Sequence, residues 1–386
     1  MSEWAEVALN SVLDRAEKTR AVVGERFPLH AERSSGEWVT TSRGSWTGGF
    51  WAGLLWLRAL HSGSAHDRSA AAQVTARLAD WVGADTATRG LIFWYGTALA
   101  SNAIGDDTAA ELGARAAQTC LNDFDHELGV LPWGSAFGGA RLLARVDGVA
   151  GIVPLLATAS GTAATKAHLD THLTPRRTEP LPTPARGWTD GDCAACPQPP
   201  LATASGTAAA EAHLDTHLIQ WRTEPVSTPA WAWTDGDWVA CPQPRTGWSR
   251  GRAWLLLALA DASWHIDTSY LDTAAELIDD TAPLIPAAEM TPDAPPDTSA
   301  AAIQAVALLK LAAAHHVPER AKRLKDRAIE ILERLTTRHL NHSGMLLDGC
   351  YDLDRNLATA HELIWGDYFF ALALAIHTGV VAPFDT

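Results

Sequence analysis

Apolar residues recur at three- and four-residue spacing along most of the chain: Trp51 to Leu60, Ala70 to Val82, Leu91 to Ala100, Thr108 to Leu121, Ile152 to Thr158, Ala253 to Ser263, Leu271 to Ile278, Ser299 to His315, Ala321 to Leu335 and Glu362 to Ile376. That period stacks apolar side chains on one face of a helix. No run of β-branched residues alternates with period two, so strands are not predicted. With Gly- and Pro-bearing loops between the segments, the pattern predicts an all-α protein of about a dozen helices. Helix pairs repeated over 386 residues predict a closed ring of hairpins, with inner helices around an axis and a pocket built by the loops at one end. An open superhelical stack is the alternative.

One internal repeat stands out. Leu156 to Pro200 and Leu201 to Arg245 align without gaps and share LATASGTAA, AHLDTHL, RTEP, WTDGD and CPQP. Two copies flanked by unrelated hairpins fall short of the roughly three that a stacking array needs. The reading is one domain over 1–386 with a tandem duplication, 156–200 and 201–245, inside it. Where the second copy has Trp221, Trp231 and Trp238, the first has Arg176, Arg186 and Cys193, and Pro175 interrupts its helix. The second copy is therefore expected to be packed and the Pro-rich loop of the first to be extruded, since surface loop length costs little.

Composition narrows the partners. At 47% apolar residues the chain can bury a large core, and a net charge of -15 with no basic block argues against nucleic acid and anionic membranes. No apolar run is long enough to span a bilayer, and the start, Met1-Ser2-Glu3-Trp4, has no signal-peptide pattern, which predicts a cytoplasmic protein. Five scattered cysteines fit reduced thiols, and Cys193-Ala-Ala-Cys196 lacks the second pair or histidine of a zinc site. Phosphate-loop, HExxH, GxSxG and GxGxxG patterns are missing from the sequence. No metal and no cofactor is expected.

Tryptophan dominates the aromatics, with 17 Trp against 8 Phe and 4 Tyr. The segment Gly247-Trp-Ser-Arg-Gly-Arg-Ala-Trp254 sets two indoles and two guanidiniums at the start of a helix. Indole faces stack on sugar C–H faces and arginine forks grip carboxylates, so the segment points to an anionic sugar.

The chain resembles glycoside hydrolase family 88, the unsaturated glucuronyl hydrolases, through five stretches in order: Trp46 to Trp56 (WTGGFWAGLLW), Val146 to Leu156 (VDGVAGIVPLL), Trp248 to Trp254 (WSRGRAW), Asp297 to Ile303 (DTSAAAI) and Leu363 to Phe370 (LIWGDYFF). The resemblance implies an (α/α)6 barrel, a six-hairpin toroid. It implies a small oligosaccharide partner ending in an unsaturated uronate, whose C4=C5 bond is hydrated so that the resulting hemiketal opens and the glycosidic link is lost. One aspartate protonates C4 and takes a proton from the water attacking C5, so it must carry a proton near neutral pH, which burial among aromatics favours. The matching residue is Asp147. Trp46, Trp133, Trp248 and Trp254 match the substrate-stacking indoles, Arg250 would bind the uronate carboxylate or a neighbouring anionic group, and Gln243 matches a substrate-binding glutamine. Trp51, Trp56 and Trp365 read as core.

The departures are also specific. Thr88 and Arg89 stand where a second active-site carboxylate belongs, Asp85 is a nearby substitute, Arg89 is read as substrate-binding with Arg250 in a changed preference, and a cation at Arg89 beside Asp147 would oppose its carrying a proton. Ala230 or Trp231 stands in place of a substrate-contacting histidine. These changes keep two further readings open: an impaired carbohydrate-binding relative, and activity on unsaturated rhamnogalacturonan products. An ordinary two-carboxylate glycosidase would need Asp297 or Asp367 opposite Asp147. A monomer or weak homo-oligomer is expected.

Overall fold

Helices buried on nearly every side alternate along the chain with helices buried along one stripe, and this alternation builds the molecule. The computed structural model describes residues 3–159, 206–223 and 227–386. The outer layer holds α1 (Glu3–Val23), α3 (Ala65–Arg77), α5 (Asp107–Asn122), α7 (Gly206–Arg222), α9 (Tyr270–Leu277) and α11 (Pro318–Arg338). The inner layer holds α2 (Gly48–Ser62), α4 (Tyr95–Leu99) with π turns at both ends, the helical stretch 152–159 (α6), α8 (Ser249–His265), α10 (Thr298–Ala314) and α12 (Ile364–Thr378). α11 shows the outer type: it buries Ala328, Ile331, Leu332 and Leu335 and leaves its charged face in water. α12 buries every residue from Ile364 to Ala375, because neighbours cover it on all sides.

α8, α10, α12, α2 and α4 touch in that order, the start of α6 meets the turn before α4 at Gly90, and the 3₁₀ turn 146–148 before α6 packs on α8, so the ring closes and the superhelical alternative fails. It is an (α/α)6 barrel. Closure needs close approach at Gly90 and Gly151, where a Cβ on either residue would collide with the other's backbone and Gly151 sits at φ +74°. An aromatic plug of Phe50, Tyr95, Trp254, Tyr368 and Phe369 fills the axis, with Phe50 5.3 Å from Tyr95 and 5.4 Å from Phe369 between ring centres. Trp51, Trp56 and Trp365 are core as expected.

Two small antiparallel sheets were not foreseen. β1 (Phe27–Ala31) lies between β2 (Trp38–Thr41) and β6 (Glu362–Leu363), and β4 (Ala230–Thr234) lies between β3 (Leu143–Arg145) and β5 (Asp237–Ala240). Strands of two to five residues are too short to display a period. Among the described residues no helix is long and apolar enough to cross a membrane.

The second repeat copy contributes α7, β4 and β5, and buries His213, Leu214, His217, Trp221 and Trp231. The first copy beyond Ala159, with Cys193 and Cys196, lies outside the described residues. Joining Ala159 to Ser205 restores the Ala-Ser-Gly order of 159–161 in register with α7. A chain lacking 160–204 is therefore expected to fold with a melting temperature equal to or above that of the full chain. A loss of cooperative melting would show that the first copy is needed.

Candidate active site

The loops preceding the inner helices enclose a cavity of about 610 Å³ at one end of the barrel, within the range of small-ligand sites. Trp46, Trp133, Trp248, Trp254, Gln243, Arg250 and Asp147 all line it. Trp254 forms its floor, since that indole also belongs to the axial plug, 5.3 Å from Phe369. Trp46 leans on Trp365 at 4.9 Å.

Asp147 lies in a single 3₁₀ turn, Val146–Gly148, directly after β3, and its side chain is 14% exposed. Three contacts fix that turn. β3 is paired with β4 so that Arg145 faces Ala230 and Ala144 faces Trp231. Val146 N–H donates to Pro229 O at 3.0 Å. His213 closes the third side: Leu131 N–H donates to its Nδ1 at 3.0 Å, so Nε2 carries the ring proton and donates to Gly148 O at 3.2 Å. One helical turn further, His217 Nδ1 donates to His213 O at 2.8 Å. The residues that stand where a family histidine was expected, Ala230 and Trp231, thus brace the strand that carries Arg145.

Burial lowers both histidines, His213 well below its ordinary value and His217 to about 4. A histidine depressed in the folded chain supports folding above its unfolded value near 6.5, and that support drains away as pH falls towards the folded value. For His217 this is worth roughly 3 kcal/mol by pH 4. The buried carboxyls of Asp261 and Asp367 are raised by burial and titrate in the opposite sense. The histidine contribution is therefore read by difference: between pH 7 and pH 4.5, His217→Gln should lose less melting temperature than the unsubstituted protein. Parallel curves would show that His217 is not held neutral.

Arg145 was not foreseen in the site. Its guanidinium lies 5.0 Å from the ring centre of Trp133 and 5.7 Å from that of Trp248, with Nε 2.9 Å from Asp147 Oδ1. Among the described residues no hydrogen bond occupies its Nη atoms, which leaves a fork free for an anion. The signal in the sequence was its i, i+2 relation to Asp147 on a strand too short to recognise.

Two arginines depart from expectation. Arg250 touches the cavity, but its Nη1 donates to Asp297 Oδ2 at 2.7 Å and Cys350 O at 2.5 Å, and its Nη2 donates to Tyr351 O at 2.8 Å. It ties the start of α8 to the loops before α10 and α12, with three of its five N–H donors taken. Arg89 is 1% exposed and turns away from the cavity, pairing with Asp123 at 2.7 Å and donating to Thr86 O at 3.1 Å. It is absent from the lining, where Thr88 stands instead. A charged side chain one residue along a helical turn points elsewhere than its neighbour.

None of the other carboxylates considered is a partner for Asp147. Asp85 accepts from Ser135 N and Oγ at 3.1 and 3.0 Å and does not line the cavity. Asp297 caps α10, accepting from Ser299 N at 3.0 Å, while it holds Arg250. Asp367 is buried outside the cavity beside Glu362 and Arg15. The cavity's other acids are Glu289, Asp352 and Asp354. They come from long loops with no local signal.

No family model and no curated protein matches this sequence. Solved structures do match its fold. An unsaturated glucuronyl hydrolase from Bacillus sp. GL1 superimposes with a TM-score of 0.75 at 19% identity, covering 97% of this chain and 96% of that one. One specific for heparin gives 0.77 at 17% identity with 99% of each chain covered. A variant of the Streptococcus agalactiae enzyme complexed with dGlcA-GalNAc6S gives 0.66 at 15% identity, covering 96% and 90%. The chain therefore has the fold of the unsaturated glucuronyl hydrolases over its length.

Proposed function

We propose that this protein is a glycoside hydrolase of the unsaturated glucuronyl hydrolase type, acting on oligosaccharides that end in a 4,5-unsaturated uronate. The observation that carries the reading is the pairing of Asp147 with Arg145, clamped between Trp133 and Trp248 inside a sugar-sized cavity. Arg145 takes the uronate carboxylate that the sequence reading assigned to Arg250. The fold supports the same conclusion.

The substrate carboxylate takes the free Nη fork of Arg145 and offsets the guanidinium charge, which leaves Asp147 to carry the proton. Asp147 gives that proton to C4, and water adds at C5 while its proton passes back to Asp147. The C5 hemiketal opens by cleavage of the ring C–O bond, and the hemiacetal left at C1 releases the next sugar. One carboxyl serves both transfers, so Thr88 in place of a second acid does not forbid the reaction. The cavity's indoles hold the ring face.

The test is loss of the C4=C5 ultraviolet absorbance of unsaturated disaccharides from chondroitin, heparin, hyaluronan and pectin digests. Turnover of a glucuronyl substrate is expected. Turnover of pectin products alone would favour the rhamnogalacturonan reading, and folded protein inert on all of them would favour a binding relative. The localisation proposed is the cytoplasm, with a monomer or weak homo-oligomer.

A further inference from the structure

Between Trp133 and β3 the chain runs through Gly134-Ser-Ala-Phe-Gly-Gly-Ala-Arg141, a flap whose Phe137, Gly138, Gly139 and Ala140 line the cavity. Its three glycines all take positive φ, at +81°, +75° and +90°. Glycine leaves the backbone its widest choice of conformation, so a flap this poor in side chains needs support from outside itself.

Asp85, which stands behind this wall and not in it, supplies the support. Its Oδ2 accepts from Ser135 N–H at 3.1 Å and from Ser135 Oγ at 3.0 Å, and its backbone oxygen accepts from Ala136 N–H at 3.1 Å. A Cβ at Gly134 would lie 2.0 Å from that same backbone oxygen, so the flap passes Asp85 only as glycine. Gly134 N–H donates to Arg141 O at 3.1 Å and closes the base of the flap, with Arg141 Nε 3.5 Å from Asp85 Oδ2. Phe137 gives a second anchor, stacked on Trp81 with ring centres 5.4 Å apart.

The flap in turn holds an indole. Trp133 Nε1 donates to Gly138 O at 3.2 Å, while the Arg145 guanidinium lies 5.0 Å from the ring centre. The Trp133 backbone is fixed separately, by Ala87 N–H on its oxygen at 3.1 Å. Gly138 O therefore sets the turn of the indole about its own side-chain bonds, and that oxygen stays in place only while the flap does. The contacts run unbroken from Asp85 through Ser135 and Gly138 to Trp133 and Arg145.

We propose that Asp85 is a positioning residue: through the flap it fixes the plane of the Trp133 indole, and with it the face on which the sugar ring stacks. The proposal rests on the reading of the cavity as a site for an unsaturated uronyl sugar.

The experiment uses the unsaturated disaccharide turned over fastest among the four digests. Asp85→Ala should raise KM roughly 2- to 12-fold, the worth of one oriented aromatic contact. Its kcat should stay within about twofold, because stacking that grips ground state and transition state alike shows in KM. Asp85→Asn keeps an oxygen for Ser135 and loses only the exposed contact with Arg141, so its KM should stay within about twofold of the unsubstituted value. Trp133→Ala should raise KM as well, and Asp85→Ala added to it should raise KM no further, since residues acting through one another are not additive. Should Asp85→Ala melt early, Ser135→Ala removes one of the same bonds from the flap's side and should give the same coupled pattern at smaller size. Equal effects of Asp85→Ala and Asp85→Asn would assign the residue a role through its charge, and additive effects with Trp133→Ala would break the link to the indole. Either result would overturn the proposal.

Calorimetric binding of the same disaccharide to these variants, in the Asp147→Asn background so that none is consumed, separates the two readings. The coupled pattern in affinity, with no turnover by the unsubstituted protein on any digest product, would keep the positioning role and reject the reaction. Turnover with additive effects would reject the positioning role and keep the reaction. A folded protein that neither binds nor turns over these sugars would reject both.

Discussion

Asp147→Asn lowers kcat by about 10²- to 10⁴-fold on any disaccharide the protein turns over, with little change in KM or melting temperature. The range is that of a positioned general acid–base, and this aspartate is assigned both proton transfers. The substitution keeps the side chain's shape but removes the exchangeable carboxyl proton. The turn that holds Asp147 is fixed by β3–β4 pairing, by Val146 on Pro229 and by His213 on Gly148, none of which involves the carboxylate, so the geometry should survive. The ion pair with Arg145 is lost, but the guanidinium stays sandwiched by two indoles. A fall in kcat/KM that arises from KM alone would assign Asp147 to binding, and undiminished turnover would place the acid elsewhere.

Lys310→Met costs about 3–5 kcal/mol of folding stability, the range for stripping one partner from a buried ion pair. Lys310 and Asp261 are both fully buried, with Nζ 2.6 Å from Oδ1, joining α10 to α8 beneath the aromatic plug. Lys310 also donates to the backbone oxygen of Thr386 and faces Phe384 at 5.7 Å. Without the ammonium, Asp261 is left among Tyr95 and Tyr368, whose hydroxyls are buried and are themselves raised by burial and by the Asp261 charge. Against a total of about 5–15 kcal/mol for a folded domain, the loss is visible in denaturant or thermal melts. Burial already raises the Asp261 carboxyl even with Lys310 beside it. In Lys310→Met the carboxyl takes up a proton more readily, so the penalty shrinks as pH falls. Lys310→Met combined with Asp261→Leu should recover most of the loss, because two apolar residues need no charge compensation. A single variant that melts with the unsubstituted protein would show that this pair contributes nothing.

The helices and their alternation were legible because they are written in local periods. Inner segments such as Ile364–Thr378 are apolar nearly throughout, and outer ones such as Pro318–Arg338 carry one stripe. α1 was missed, although it buries Ala5, Leu9, Val12 and Ala16 at helical spacing, because charged residues break up the apolar run. The indoles assigned from the family resemblance, Trp46, Trp133, Trp248 and Trp254, meet in one cavity.

The sequence by itself determined the helices, which are carried by local periods, while the six-hairpin ring, Asp147 and the four tryptophans came from the resemblance to a known family. Tertiary structure alone decided which charges are paired and which are left open beside the cavity. Arg250 was drawn to Asp297 and two carbonyls, Arg89 to Asp123, and Arg145 was left with an open fork between two indoles. The reason is physical. A guanidinium carries the same charge and donors wherever it stands in the chain, and its role is set by the acceptors within a few ångströms, which here come from segments up to 101 residues away. Glu289, Asp352 and Asp354 face the cavity for the same reason, because ring closure brings the loops before α10 and α12 to its mouth.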